Sequence, residues 1–267
     1  MKQVIPLASE PIENEDGTEK QDCELNAAKR LLKKIRSKHP KLKIMIVGDG
    51  LYSKQPFIKD LLDRSMAFTL VAKPTDHTTM FKTLANREII GSMKELELVD
   101  EQGNLHTYRW SNDIDLNGNK ESKKVNFFEY EFFNQKLDKT TYKNSWVTNI
   151  IIGKENVQTL VQGGRARWKV ENETFNTLKN QGYHIEHNFG HGKKNLCRNF
   201  YLLNLIAFYM HQIFELSDKV YQKLRAKIGT RIEFFNNLRS FMKIPGYKDW
   251  YHFLMTIYDP ENCLKAI

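Results

Sequence analysis

"LKIMIVGDGLYSKQPFIKDLLDRSMAFTLVAKP", residues 42–74, decides the fold. Its first part, "LKIMIVG" (42–48), is a nearly continuous apolar run, the mark of a central strand buried on both faces. "QPFIKDLLDRS" (55–65) follows as a helix, with Pro56 suited to the first turn, where a missing N–H costs nothing. "AFTLVAKP" (67–74) is a second strand. Strand, helix, strand in this order reads as an α/β layer. In open α/β sheets, ligands and reacting groups collect at the C-terminal ends of the strands. Asp49 stands there after the first strand and Lys73 after the second. Taken alone, Asp49-Gly50 is also a common turn pair, and a lysine at a strand end is as often structural as functional.

Upstream, "ELNAAKRLLKKIRSKH" (24–39) reads as a helix with apolar positions at Leu25, Ala28, Leu31, Leu32 and Ile35, stopped by Pro40. "QVIPLA" (3–8) reads as a short strand. Downstream the composition changes. "ELELVDEQGNLHTYRW", "KKVNFFEYEFFN" and "YKNSWVTNII" alternate aromatic and polar residues between "EQGN" and "NGNKES" turns, which predicts a β-meander. Its aromatics, Phe127, Phe128, Tyr130, Phe132, Phe133 and Trp146, alternate as core residues do.

A helix is predicted over about 162–180, containing "RARWKVENETFNTLK" (165–179). Wound at 3.6 residues per turn, Trp168, Glu171, Phe175 and Leu178 share one face, so Glu171 is expected to point inward and Glu173 outward. An inward acid is costly unless a base or cation meets it, and Arg167 stands one turn earlier. After the loop "GYHIEHNFGHGKKN" (182–195), the apolar "FYLLNLIAFYMHQIF" (200–214) predicts a buried helix. It is too short to span a bilayer and carries Asn204, His211 and Gln212. A helical tail broken at Pro245-Gly246 completes the chain.

The chain of 267 residues carries a formal charge of +9, with eight basic residues between Lys29 and Lys43. That balance favours a polyanionic partner, nucleic acid being the commonest, although "KKIRSKHPKLK" also suits a solvated helix face. Cys23, Cys197 and Cys263 form no CxxC pair, which suits a reducing compartment and argues against a zinc framework. The opening residues hold no long apolar core of a signal peptide, so a cytoplasmic protein without membrane contact is expected. His184, His187 and His191 lack an obvious fourth ligand for zinc, and contact with phosphates through Gly190, Gly192, Lys193 and Lys194 is the better functional reading.

A strand-end Asp49 and a helix-borne Glu171, separated by a β insertion in a basic protein, suit a divalent-metal phosphoryl-transfer site. Two carboxylates about 4 Å apart repel by about 4 kcal/mol at an effective dielectric of about 20, and cations between them offset that cost. "VGDGLYS", the insertion and "GRARWKVENETFNTLKNQGYHIEHNFGHG" resemble insertion-sequence transposases of the DDE class, over about residues 3–215. In that branch a Tyr-x2-Arg-x3-Glu-x6-Lys signature surrounds the last catalytic acid. Arg167 and Glu171 match it; Gly164 stands at the tyrosine position and Leu178 at the lysine position, with Lys179 one step late.

The resemblance implies an RNase H-like α/β core with an inserted β-rich subdomain and a C-terminal helical region. Its expected divisions are 1–90 (first part of the core), 91–148 (insertion), 149–216 (rest of the core, with the glutamate helix) and 217–267 (helical tail). It implies metal-dependent DNA cleavage and strand transfer at insertion-sequence ends in a bacterial, nucleoid-associated protein. Asp49 and Glu171 would be catalytic ligands of Mg²⁺ or Mn²⁺, supported by Arg167 and Lys179. Arg165, Lys73, Lys193 and Lys194 would contact double-stranded DNA, and an insertion aromatic would stack on a displaced base. Self-association is a further expectation; a small-molecule cofactor is not. The family's first acid lies ahead of the strand that "QVIPLA" resembles, where only Met1 and Lys2 stand. A truncated copy without that acid is therefore expected, and its alternative role is that of a catalytically silent partner binding DNA or a full-length transposase.

Overall fold

The computed structural model describes residues 4–12, 22–187, 190 and 195–263. The elements run α1 (Glu24–Lys38), β1 (Met45–Gly48), α2 (Gln55–Asp63), β2 (Ala67–Val71), α3 (Thr78–Ile89), β3 (Lys94–Val99), β4 (Leu105–Asp115), β5 (Lys124–Asn134) and β6 (Lys139–Thr148). Then come α4 (Val157–Arg165), the short α5 (Arg167–Lys169), a π-helical stretch (Val170–Phe175) and α6 (Asn176–Asn180). Helices α7 (Leu196–Ser217), α8 (Lys219–Lys227), α9 (Arg231–Phe241), α10 (Trp250–Tyr258) and α11 (Pro260–Cys263) close the chain. Two compact units result: residues 8–168, and residues 169–267 with 1–7.

In unit 8–168 the strands form one mixed sheet in the order β1-β2-β6-β5-β4-β3. β1 and β2 are parallel, with Gly48 opposite Leu70, and α2 makes the crossover that parallel strands need. β3 to β6 are the expected meander, but it extends the same sheet: β6 pairs antiparallel with β2, setting Trp146 opposite Val71. Period-two alternation splits its aromatics between the two faces. Phe127 and Val147 join Phe57, Ile58, Leu61, Phe68 and Met80 beneath α1–α3. Phe128, Tyr130 and Trp146 join Val157, Leu160 and Val161 of α4. These aromatics are buried, so their rings are packing elements.

Two strand expectations fail. The run 42–48 is not a central strand: β1 lies at the sheet edge and Met45 is 40% exposed. An apolar run reports packing on the faces of a strand, here of Ile44 and Ile46, and is silent on how many neighbours bond its backbone. "QVIPLA" forms no strand among its described residues, 4–8, because apolar alternation without a pairing partner does not make one.

In unit 169–267 a separate core gathers Leu178, Phe208, Tyr221, Leu224, Phe234, Leu238, Phe253 and Leu254. The helical tail and its break hold, with Gly246 at φ 103° between α9 and α10. The helix over 200–214 is present within α7, but its predicted burial is wrong. Only Phe208 and Gln212 are buried, while Leu203 and Ile206 are each 57% exposed. The apolar content of α7 exceeds what one face can bury against α8 and its neighbours.

Candidate functional site

The Asp49 edge is built by three tight turns. β1 ends at buried Gly48, and the chain folds back through Tyr52 N–H donating to Asp49 O (3.2 Å) and Ser53 N–H to Gly50 O (3.3 Å). Asp49 is half-buried, and its Oδ1 accepts from the Leu51 N–H at 3.0 Å, an Asx-type turn that fixes the carboxylate's direction. Because β1 and β2 are parallel, Lys73 emerges on the same edge and is exposed. Gly50 sits close to the side chains of this edge. A Cβ on it would stand 3.2 Å from Asp76 Oδ2 and 4.0 Å from Lys73 Cδ. Lys54 Nζ pairs with Asp76 Oδ1 at 3.2 Å. Asp49, Lys54, Lys73 and Asp76 thus make a mixed-charge edge suited to an anionic ligand or a hard cation.

Beneath this edge lies a polar pair that sequence reading missed. Ser53 is fully buried, and its Oγ lies 2.9 Å from Gly50 O and 2.7 Å from His77 Nε2. Burial, then the positive charge of Lys54, holds the His77 imidazole below its ordinary pKa, so the ring is neutral near pH 7. Ser53 and His77 are 24 positions apart in the sequence, and only the adjacency of the two strand ends makes them partners.

The glutamate segment departs from its predicted faces. Glu171 is exposed; Glu173 is half-buried and pairs with Lys169 at 3.8 Å; Thr174, Thr177 and Leu178 form the buried side. The cause is the winding of Val170–Phe175, where i→i+5 bonding, as in Asn176 N–H to Glu171 O, shifts the phase of every later side chain. An exposed carboxylate does not pay the desolvation cost that an inward one would, so it needs no buried base. Of the other expected residues, Arg167 is half-buried, and Lys179 pairs with Glu186 at 2.7 Å. Arg165 lays its guanidinium over the Tyr142 and Tyr130 rings, at 4.7 and 5.4 Å from their centroids. Gly164 has a packing reason: a Cβ there would meet the Trp146 ring at 2.8 Å, so no tyrosine could stand in its place. His184 and His187 line a cleft of about 510 Å³ with Tyr183, Phe200, Leu203 and Asn204. His191, Lys193 and Lys194 lie outside the described residues.

The oxygen donors of Asp49 and Glu171 match the chemistry of Mg²⁺ or Mn²⁺. Among the described residues, however, no three His, Cys, Asp or Glu side chains gather to hold a metal ion. No helix of the described residues is long and apolar enough to cross a membrane.

A mixed α/β sheet carrying an aspartate where a parallel strand ends, followed later in the chain by a helical stretch bearing Glu171, defines the class as RNase H-like. The family model of the transposase DDE domain matches residues 7–209, and the chain belongs to that family. No curated protein matches the chain.

Proposed function

We propose that this chain carries out metal-dependent cutting and joining of DNA at the ends of an insertion sequence. The observation that carries the reading is Asp49: a half-buried carboxylate, aimed by its own turn at the strand-end edge of a DDE-domain sheet. Asp49 and Glu171 would hold Mg²⁺ or Mn²⁺. When bound, such ions supply a Lewis acid that activates water or a 3′-hydroxyl and neutralises charge developing on the phosphate. Lys73 would bind the DNA backbone beside Asp49, with Lys54 held back by Asp76. Arg167 would orient Glu171 or a phosphate. Lys179, Lys193 and Lys194 would add backbone contacts, while Arg165, stacked on two tyrosines, would present its charge from a fixed position.

Asp49→Asn and Glu171→Gln are each expected to reduce Mg²⁺-dependent nicking of transposon-end DNA by at least about 100-fold, while DNA binding persists. Equal nicking by Asp49→Asn and the unsubstituted chain would sink the assignment. A second reading, a silent DNA-binding or transposase-binding protein, is favoured by the lack of a three-ligand cluster among the described residues. Binding without any metal-dependent cleavage decides for it. Self-association belongs to the same proposal. In α7, Leu202, Ile206, Tyr209, Ile213 and Leu216 recur at alternating steps of four and three, a seam suited to an identical helix.

A further inference from the structure

We infer that Ser53 and His77 form a positioning pair that holds the turn carrying the Asp49 carboxylate; this deepens the proposed function and rests on it. Ser53 is no nucleophile, although a serine 2.7 Å from an imidazole invites that reading. Its side chain is wholly buried, and its Oγ is already engaged with the Gly50 carbonyl. With Nε2 protonated, the imidazole donates to Oγ and the hydroxyl donates to Gly50 O. Gly50 O is also the acceptor of the Ser53 N–H, so one carbonyl, adjacent to Asp49, is clamped twice.

His77 is itself fixed at the start of α3. Its backbone N–H donates to Lys73 O at 3.2 Å, and its carbonyl accepts from Phe81 N–H at 3.0 Å. The turn between β4 and β5 meets the start of α2 separately, through Gln55, whose Oε1 accepts from Asn117 Nδ2 at 2.7 Å and whose Nε2 donates to Glu121 O at 3.2 Å. A path of hydrogen bonds therefore runs from the Asp49 turn, through Ser53 and His77, to Lys73 and the start of α3. Groups that orient a ligand residue in this way alter metal affinity by about 10–100-fold when removed.

The test compares Ser53→Ala, His77→Leu and His77→Gln in the full chain, the last keeping an amide donor near the place of Nε2. Three measurements are made: amide hydrogen exchange, Mn²⁺ affinity by calorimetry, and nicking as a function of Mn²⁺ concentration. In Ser53→Ala and His77→Leu, exchange at Leu51–Ser53 is expected to accelerate at least about tenfold while that of β5 stays unchanged. Mn²⁺ binding weakens about tenfold, and nicking returns to within about threefold at saturating Mn²⁺. His77→Gln restores most of the affinity. Wild-type exchange and Mn²⁺ affinity in both disruptive variants, or faster exchange spread evenly over the unit, overturns the inference. Faster local exchange with wild-type affinity overturns the functional part equally. If Ser53→Ala does not fold, His77→Leu, which keeps the Ser53–Gly50 bond, decides by the same readings. Mn²⁺ binding unaltered by Asp49→Asn instead overturns the proposed metal site, and the exchange rates still decide whether the pair holds the turn.

Discussion

At Gly164 the absence of a side chain decides how closely α4 lies on the sheet. Adding one methyl is expected to overpack the Trp146 contact and cost about 1–3 kcal/mol. Thermal unfolding of Gly164→Ala measures this, and an unchanged midpoint would show that the ring gives way freely. This glycine was legible only as a departure from a family signature; the reason for it needed Trp146, 18 positions away in sequence. Asp49 was legible because an acid after an apolar strand points to the active edge of an α/β layer wherever it occurs. Ser53 and His77 were not. Each is an ordinary turn or cap residue until the two strand ends come together.

At the level of elements, helices and hairpins were read correctly where hydrophobic period and turn residues agree, as in α1, α2 and the β3–β6 meander. The faces of Glu171 and Glu173 were misread because the projection assumed 3.6 residues per turn through a π-helical stretch. α7 makes a sharper prediction because its two sides differ so much in burial. Phe208→Ala should cost about 3–5 kcal/mol, whereas Ile206→Glu should change stability by less than about 0.5 kcal/mol and lower the sedimenting mass at high concentration. Unaltered mass would count against a self-paired seam. His211, on the same helix, contributes a pH dependence. Burial, then Arg231 and Arg225, presses its pKa down to about 4, and its Nδ1 lies 2.7 Å from Tyr183 Oη. The unfolded chain takes up a proton near pH 6.5 and the folded chain only near 4. The contribution is therefore complete above about 6.5 and is lost as pH falls from there to about 4. The melting temperature should drop across that window, and His211→Gln should flatten the drop.

For the molecule as a whole, the +9 charge bears on how DNA is held rather than on how the chain folds. Part of the basic surface is occupied internally. Arg30 is bound by Glu10 at 3.0 Å and Asp22 at 2.6 Å, Lys34 by Glu10, and Arg36 donates to the Leu42 and Ser65 carbonyls. DNA affinity should still fall linearly with the logarithm of salt concentration, with a slope near −0.9 per phosphate contact, roughly as for other duplex binders. Removing Lys73 should lower that slope by about one contact, read by fluorescence anisotropy across a salt series; an unaltered slope would place Lys73 off the DNA track.

Local sequence determined the strand–helix–strand unit, the hairpins, the helical tail and the position of an acid at a strand end, because each depends on periodicity and turn chemistry within a few neighbouring residues. The tertiary structure alone decided that β1 lies at an edge, that α7 stays exposed, that Glu171 turns outward and that a buried serine and histidine clamp the Asp49 turn. Those outcomes depend on which distant surfaces compete for the same contact, and no single segment carries that information.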